Sequence, residues 1–176
     1  NLGIGFCMTV GTLTISSCSR EYDSKPRDGL IVYQEAQISW VRNFNPLSPA
    51  GSARWPTKCG IHEPLFIYNS MTGEWVPWLA VEYQWKENNK ILEMKTRKNV
   101  YWSDGAPFTA HDVVFTSQIK KQFRALDTRN SWEYLNKVIA TSDSTVTFTF
   151  NRTYVPGFDA LATQAIVPKH IWEKID

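Results

Sequence analysis

Cys59, His62 and Glu63 lie within one five-residue segment and have side chains that can bind metals or act as nucleophile and base. Zinc sites are built from pairs of cysteines or histidines at defined spacings, and this segment has one of each. We therefore expect no metal site, no catalytic residue and no cofactor here, and we interpret Cys59 as a small buried apolar residue.

Paired carboxylates could instead hydrolyse a glycosidic bond, since that reaction needs two acids that flank the bond. Glu63 and Asp104 could form such a pair, although a chain with 17 acidic residues contains many such pairs by chance. The sequence has no glycine-rich phosphate loop and none of the motifs His-Glu-x-x-His, Gly-x-Ser-x-Gly and Cys-x-x-Cys. Enzyme signatures are therefore sparse, and a surface carbohydrate-active hydrolase or a carbohydrate-binding module is kept as an alternative function.

Cys18 has a different possible chemistry, because Ser16 and Ser17 precede it at the end of the uncharged, largely apolar stretch 2–15. That stretch has the length of the apolar core of a secretory signal peptide and is shorter than the roughly 20 residues that span a bilayer. Small residues before a cysteine are typical of a bacterial lipobox, in which the sulfur receives a diacylglycerol before cleavage. The alternative is a buried hydrophobic helix.

The lipobox interpretation divides the start of the chain into parts. Residues 1–17 are predicted to be a lipoprotein signal peptide, whose own start we expect to be missing because the first charge is Arg20. Cys18 becomes the lipidated N-terminus, and the polar residues 18–29 form a tether to the folded domain. Of the three cysteines, Cys59 alone then belongs to the folded part, so no internal disulfide is expected.

The composition limits the possible partners. The formal net charge of +2 is small and dispersed, which argues against a nucleic-acid partner. Eight Trp, nine Phe and seven Tyr supply rings that suit either a core or stacking against sugars. Trp78, Trp85 and Trp102 lie in or beside predicted strands and are expected to pack in the core, whereas Trp55 and Trp132 lie where they can face a cleft.

Alternation and turn signals predict a mixed α+β fold. The segment 42–57 is rich in Asn and Pro and is predicted to be an irregular, functional loop. In the clearest strand, 91–97, Leu92, Met94 and Thr96 share one face. Further strands are predicted at 29–33, at 63–68, and in a hairpin formed by 138–140 and 145–150.

One helix is predicted after a Ser-Asp-Gly turn. Thr109 can cap it with Asp112 at the third helical position, and this carboxylate variant of the capping box also suits the helix dipole. Phe115, Ile119 and Phe123 recur at every fourth position and predict the buried stripe of the helix.

Several motifs can be read together: Glu-Pro-Leu at 63–65, Gly-Glu at 73–74 before Pro-Trp-Leu-Ala at 77–80, Arg-x-x-Val-x-Trp-Ser-Asp-Gly at 97–105, the block 107–115 that ends in Asp-Val-Val-Phe, and Ile-Val-Pro-Lys-His at 166–170. They strongly resemble the family 5 extracellular solute-binding proteins of ABC importers. That family includes binders of oligopeptides, dipeptides, nickel and cello-oligosaccharides. The likeness runs from about Leu30 to Asp176.

The resemblance implies a two-lobed receptor of the type II periplasmic-binding-protein fold, which closes about a hinge on a solute outside the cell and presents it to a permease. It also implies that the protein is not an enzyme and that this chain is the N-terminal part of a longer protein. Residues 30–58 would be the start of lobe I, residues 59–165 the accessory domain of this family, and residues 166–176 the truncated return to lobe I.

The resemblance also suggests where the ligand lies. In the peptide-binding relatives a stretch just upstream of the Glu-Pro-Leu strand borders the ligand, and it matches Gly51, Ser52, Ala53 and Arg54 here. An aromatic residue after the capped helix can reach the cleft in the same relatives, and Trp132 is its nearest match. We add Trp55, because an indole face can cover the apolar side of a ligand with little loss of rotamer entropy.

The expected ligand is an oligopeptide or a short oligosaccharide. Family breadth favours a peptide, as does Arg54, which can meet a carboxylate. Aromatic density favours a sugar, and the segments 132–135 and 166–172 look most like the oligosaccharide-binding branch. The expected partners are ABC permease subunits and, through the lipid anchor, the outer face of the cytoplasmic membrane, with the protein a monomer. A receptor that signals rather than transports is a further alternative.

Overall fold

The computed structural model describes residues 42–48, 53–54 and 57–174, apart from the side chains of Lys58 and Cys59. The predicted signal peptide, the lipidation site Cys18, the tether and the predicted strand 29–33 therefore lie outside the described residues. So do three residues of the predicted ligand-bordering segment: Gly51, Ser52 and Trp55.

The described chain contains both helices and an antiparallel sheet, with four strands before the first long helix, which confirms the predicted mixed α+β class. In chain order the elements are a π-helical turn (Thr57–Ile61), β1 (Phe66–Asn69), β2 (Glu74–Pro77), β3 (Ala80–Lys86), β4 (Ile91–Thr96), α1 (Ala110–Gln122), β5 (Leu135–Ser142), β6 (Thr145–Phe150), α2 (Gly157–Ala162) and α3 (Lys169–Trp172). Short 3-10 turns lie at Arg124–Leu126 and Ser131–Glu133. Within the described ranges, no helix combines the length and the apolar composition needed to cross a bilayer.

Four strands form one antiparallel sheet in the order β3-β4-β6-β5, and β1 pairs with β2 in a separate antiparallel ribbon. In the central strands β4 and β6 every second side chain is buried. Leu92 lies opposite Phe148 and Met94 opposite Val146, and all four are fully buried. The predicted shared face of Leu92, Met94 and Thr96 is therefore confirmed, and β6 forms the predicted hairpin with β5.

Helix α1 begins with the predicted capping box. The side chain of Thr109 accepts a hydrogen bond from the backbone N–H of His111 at 3.3 Å, and Asp112 Oδ2 accepts one from the backbone N–H of Thr109 at 2.8 Å. These bonds satisfy donors that a helix start leaves without intrahelical partners.

The predicted buried stripe of α1, formed by Phe115, Ile119 and Phe123, is wrong, because a different face of the helix is buried. Phe123 is 53% exposed and lies beyond the end of the helix, and Phe115 and Ile119 are half-buried. The helix packs against β5 and β6. Its buried residues are Ala110, Asp112, Val113, Thr116 and Ser117.

Two hydroxyl groups explain this difference. Thr116 Oγ1 donates to the carbonyl oxygen of Asp112 at 2.8 Å, and Ser117 Oγ donates to that of Val113 at 3.1 Å. Because both hydroxyls are satisfied within the helix, their burial leaves no unpaired polar group. Small side chains on this face also let the helix lie close to the sheet, an arrangement that hydrophobicity alone does not identify.

The strand predicted at 63–68 begins later, at Phe66. Leu65 is fully buried but lies outside the β1–β2 ladder. Its carbonyl oxygen accepts hydrogen bonds from the backbone N–H groups of Trp78 at 3.1 Å and Ala80 at 3.0 Å. These bonds connect Leu65 to the start of β3, whereas Phe66 and the residues after it pair with β2. The sequence shows no break between Leu65 and Phe66 that would predict this change.

The segment before β1 also pairs with the segment after α2. The backbone N–H of Leu65 donates to the carbonyl oxygen of Ala162 at 3.0 Å, and that of Ile166 donates to the carbonyl oxygen of Glu63 at 3.1 Å. The chain therefore enters and leaves the sheet-containing part along adjacent, hydrogen-bonded backbones.

Most described aromatic residues build the core. The ring of Phe158 in α2 lies 5.7 Å from that of Phe66, 5.0 Å from that of Trp75 and 4.3 Å from that of Tyr83, measured between centroids. Contacts of this kind join α2 to both sheets and stabilise beyond the area that they bury.

The three tryptophans expected in the core do not all lie there. Trp85 and Trp102 are partly buried against it, as predicted, whereas Trp78 is 43% exposed. Trp78 lies in the connection between β2 and β3, where Leu79 and Ala80 take the buried positions. Its carbonyl oxygen accepts a hydrogen bond from Arg97 Nε at 2.8 Å, so its backbone is fixed while its ring stays outside.

Candidate functional site

The described residues enclose a polar cleft of about 170 Å³. Four parts of the chain meet there: the loop before the π-helical turn, the last turn of α1, the connection 126–131, and α2 with the residues after it. We call this the polar cleft, and its lining residues are Pro46, Leu47, Lys120, Leu126, Asp127, Thr128, Arg129, Ser131, Ala160, Thr163, Gln164 and Ala165. None of these residues is aromatic, and most have polar side chains.

Gln164 is the most unusual residue of the polar cleft, because it is polar and only 6% exposed. Its Oε1 accepts a hydrogen bond from Lys120 Nζ at 2.9 Å. A lysine ammonium can only donate, so this bond fixes which end of the amide faces Lys120. The other end, Nε2, is buried and has no hydrogen-bond partner in the described part of the chain.

Asp127 organises the floor of the same cleft. This carboxylate is 4% exposed and accepts hydrogen bonds from Ser131 Oγ and from the backbone N–H of Trp132, the latter at 2.9 Å. Between them Asn130 takes the left-handed conformation, with φ of 50°. Asparagine tolerates that conformation better than most residues, so the sequence suits the tight turn that brings 127 and 131 together.

A surface ion pair connects this turn to α2. Arg129 pairs with Asp159, and both side chains are about half exposed. Ion pairs with this exposure contribute little to stability. The pair nevertheless places a guanidinium group at the rim of the polar cleft.

Trp132 lies beside the cleft and packs against α1. Its indole Nε1 donates to the carbonyl oxygen of Ser117 at 2.8 Å, and Lys121 Nζ lies 4.6 Å from the ring centroid. A cation over an indole face is favourable. Trp132 itself is half-buried against the core, whereas its neighbour Ser131 lines the cleft.

The predicted segment 51–55 is described only at Ala53 and Arg54, which are both half-buried. The backbone N–H of Arg54 donates to the carbonyl oxygen of Asn43 at 2.6 Å, and its own carbonyl oxygen accepts from the backbone N–H of Thr57 at 2.9 Å. Pro46 and Leu47, a few residues upstream, line the polar cleft. The cleft is thus lined by Leu47, four positions before Gly51, and by Ser131, next to Trp132.

Sequence reasoning did not identify Lys120, Asp127 or Gln164. A signal for Gln164 was present, because Thr163 and Gln164 are polar residues inside the otherwise apolar run 160–167. Lys120 had no such signal, since a lysine in the last turn of a helix is ordinary. The two residues are brought together by the fold alone.

The proposed carboxylate pair receives no support from its surroundings. Asp104 Oδ2 lies 2.6 Å from His170 Nε2, and Asp104 Oδ1 accepts from the backbone N–H of Ala106 at 3.0 Å. The hydrogen bond with His170, followed by that with Ala106, lowers the pKa of Asp104 below its ordinary value. A general acid in glycoside hydrolysis needs a raised pKa, so Asp104 does not suit that role of the pair.

His62 lies close to the segment that first suggested metal binding. Its Nδ1 lies 3.2 Å from the carbonyl oxygen of Ile166, and burial lowers the pKa of this histidine. Among the residues that the structure describes, no group of three or more His, Cys, Asp or Glu side chains could hold a metal ion. His62 therefore acts as a hydrogen-bond donor to the backbone that follows α2.

Comparison with known proteins extends these observations. Residues 74–176 match the model of the middle part of the bacterial extracellular solute-binding proteins, family 5. The periplasmic murein peptide-binding protein MppA of Escherichia coli is 31% identical over 119 residues, which are 63% of this chain and 21% of that protein. The nickel-binding periplasmic protein of the same organism is 29% identical over 137 residues, which are 73% of this chain and 25% of that protein.

Solved structures share the fold. A mannohexaose-bound periplasmic oligopeptide-binding protein of an ABC transporter from Thermotoga maritima matches with a TM-score of 0.71 and 35% identity, over 77% of this chain and 25% of that one. NikZ from Campylobacter jejuni, solved with Ni(L-His), matches with a TM-score of 0.66 and 22% identity over 77% of this chain and 27% of that one, which concerns the fold alone.

The chain thus spans about a quarter of the length of these relatives. The family model nevertheless covers more than half of the chain, including the whole four-stranded sheet, the capped helix α1 and α2. The chain belongs to the family 5 bacterial extracellular solute-binding proteins.

Proposed function

We propose that the complete gene product is the solute-binding component of an ABC importer, which captures an oligopeptide or a short oligosaccharide outside the cytoplasmic membrane and delivers it to the permease. The observation that carries this proposal is the polar cleft. It lies on the fold of a solute-binding family, and it is lined by Ser131, next to Trp132, and by Leu47, four positions before Gly51.

Two observations bear on the ligand and favour different classes. The similar protein from Thermotoga maritima was solved with mannohexaose, which supports a sugar. The name of the similar Escherichia coli protein MppA specifies a murein peptide, which supports a peptide. We carry both classes forward, with Gly51, Ser52, Ala53, Arg54, Trp55 and Trp132 as the proposed ligand-bordering residues.

The proposed organisation follows from the same family. Residues 59–165 would form the accessory domain, and the four-stranded sheet and α1 fall inside these bounds. Residues 30–58 would begin lobe I and residues 166–176 return to it. Residues 1–17 would be a signal peptide, and a diacylglycerol on Cys18 would hold the mature monomer at the outer face of the cytoplasmic membrane.

Binding and turnover distinguish the importer from the alternative of a carbohydrate-active hydrolase. We suggest calorimetric titration of the complete gene product with di- to pentapeptides, with β-linked glucose oligomers and with mannohexaose, followed by chromatography of each mixture. The importer proposal predicts saturable binding to one class and recovery of unchanged ligand. Release of shorter sugars, or no binding to either panel, would contradict it.

The lipid anchor needs a separate measurement. Intact-mass analysis of the protein from bacterial membranes should find an acylated polypeptide that begins at Cys18. A Cys18→Ala variant should lose the added mass and fail to be cleaved at this position. An unmodified wild-type polypeptide that retains residues 1–17 would contradict the lipoprotein proposal without affecting the binding proposal.

A further inference from the structure

The chain forms a second recess, of about 190 Å³, that shares no lining residue with the polar cleft. It lies where the residues before β1, the residue before β3 and the connection between β4 and α1 come together. Its lining residues are Ile61, Glu63, Leu79, Val100, Tyr101, Trp102, Ser103 and Phe108. We call it the aromatic recess, because three of these eight side chains are aromatic rings, a type of side chain that the described lining of the polar cleft lacks.

The rings of the aromatic recess are held at different depths and in different orientations. Phe108 and Leu79 are buried and form its inner part, while Tyr101 is 63% exposed. The rings of Trp102 and Phe108 meet edge to face, with centroids 5.9 Å apart and an angle of 77° between their planes. The face of an aromatic ring carries negative potential, so rings that line a recess can attract a cation.

A carboxylate adds to this negative potential. Glu63 is the one charged residue of the lining, and its side chain is exposed. Within the part of the chain that the structure describes, the Glu63 carboxylate has no hydrogen bond or ion pair. Asp104, close by in sequence to Ser103, does not line the recess and is bonded to His170. The described lining thus has negative charge that no lysine, arginine or histidine of the lining neutralises.

Hydrogen-bond acceptors in the lining are largely in use. Four of its backbone carbonyl oxygens already accept a backbone N–H, over distances of 2.8–3.1 Å, and they belong to Glu63, Leu79, Val100 and Trp102. A primary ammonium group has three N–H donors that each need an acceptor, whereas a fully methylated ammonium has none. The lining therefore suits a cation that is attracted by charge and by ring faces and that needs few hydrogen bonds.

We infer that the aromatic recess binds the alkylated ammonium group of a small organic cation. The rings of Tyr101 and Trp102 attract the cation, Glu63 supplies the opposite charge, and the buried side chains contact its methyl groups. This site lies outside the polar cleft and goes beyond the proposed function. Its ligand is not the imported solute, so the inference and the importer proposal can fail independently.

The test compares three small molecules on the ¹⁵N-labelled complete gene product. Choline has a trimethylated ammonium, ethanolamine has the same skeleton with a primary ammonium, and 3,3-dimethylbutan-1-ol has the shape of choline without its charge. The indole N–H resonance of Trp102, assigned by its loss in Trp102→Phe, reports binding. Choline should shift it in a saturable manner and bind about fivefold more tightly than either analogue, as expected for a cation against partly exposed rings.

Two substitutions at exposed positions separate charge from ring. Glu63→Gln keeps the size of the side chain and removes its charge, so the affinity for choline should fall toward that for the neutral analogue. Glu74→Gln makes the same change on β2, outside the recess, and should leave the affinity for choline unchanged. Tyr101→Leu keeps an apolar side chain but removes the ring, so it should weaken binding of choline and leave that of the neutral analogue nearly unchanged.

The outcomes decide the inference without reference to the polar cleft. Absence of a saturable shift with choline would overturn it, as would equal affinities for choline and the neutral analogue. Tighter binding of ethanolamine than of choline would overturn the assignment to an alkylated cation. An affinity for choline that survives in both Glu63→Gln and Tyr101→Leu would also overturn it, because the cation would then bind elsewhere.

Discussion

Asp112 binds two backbone segments that are far apart in sequence: its Oδ2 accepts from the Thr109 N–H at 2.8 Å, and its Oδ1 accepts from the Lys169 N–H at 2.9 Å. The capping carboxylate of α1 therefore also positions the start of α3. It is 4% exposed, so water cannot replace either bond if the side chain is removed.

Asp112→Ala should accordingly destabilise the protein by about 3 kcal/mol, since it removes a helix cap and leaves a second backbone donor unsatisfied. Urea unfolding followed by circular dichroism measures this change. Asp143→Ala provides the comparison, because its side chain is 90% exposed and should cost no more than about 0.5 kcal/mol. Equal costs for the two variants would show that Asp112 does not hold α3.

The register of the sheet predicts opposite results for two neighbouring positions. Met94 is fully buried opposite Val146, so Met94→Ala should cost about 2–5 kcal/mol. Lys95 is exposed on the other face and pairs with Glu82, so Lys95→Ala should lower the free energy of unfolding far less than Met94→Ala does. The same unfolding assay compares them, and a larger cost at Lys95 would mean that the strand is shifted by one residue.

Two glycines should respond to alanine for different reasons. At Gly105 φ is +87° and there is open space around an added Cβ, so the expected cost is about 1 kcal/mol from the backbone alone. At Gly157 an added Cβ would lie 2.9 Å from a ring carbon of Tyr134 and 3.0 Å from one of Phe150. Gly157→Ala should therefore cost more, about 2–3 kcal/mol, although alanine favours the helix.

Thermal melts of both glycine variants test this order. Tyr134→Leu should partly rescue Gly157→Ala, because it removes one of the rings that the added methyl group meets. If Gly105→Ala is the more damaging change, the packing around α2 is looser than described.

His62 predicts a dependence of stability on pH. Burial lowers its pKa below the ordinary 6.5, so between its folded-state pKa and 6.5 the unfolded chain binds more protons than the folded one. Stability is then fully present above about pH 6.5 and falls as the pH drops toward the folded-state pKa. Histidine NMR titration should find the resonance of His62 shifted to a lower pKa than that of a free histidine.

Substitution isolates this contribution. His62→Gln keeps a donor for the carbonyl oxygen of Ile166 and cannot titrate, so it should flatten the dependence of the unfolding free energy between about pH 7 and 5. A profile that stays the same in His62→Gln would assign the dependence to other groups.

Local features could be read from the sequence, and features that depend on tertiary contact could not. The alternation of Leu92, Met94 and Thr96 and the cap at Thr109 involve residues at most four positions apart, and both are confirmed. The stripe on α1 was wrong, because Thr116 and Ser117 satisfy their hydroxyls inside the helix and so can be buried.

The polar cleft shows the same limit at longer range. Lys120 and Gln164 are 44 residues apart in sequence, and neither residue type is distinctive alone. Trp132 was selected from a family pattern, and its neighbour Ser131 lines the cleft. The contact between Lys120 and Gln164 depends on the fold, which no local pattern specifies.

The paired backbones at Glu63–Leu65 and Ala162–Ile166 have a consequence for how this protein can change. Because the chain departs from and returns to nearly the same point, the residues between these two segments form a block whose two ends lie side by side, and the bond from the Lys169 N–H to Asp112 also ties this block to α3. A relative could lengthen or shorten loops inside that block while its two hydrogen-bonded ends keep their places. The same pair of adjacent backbones gives protein engineers a place to join this block to another protein.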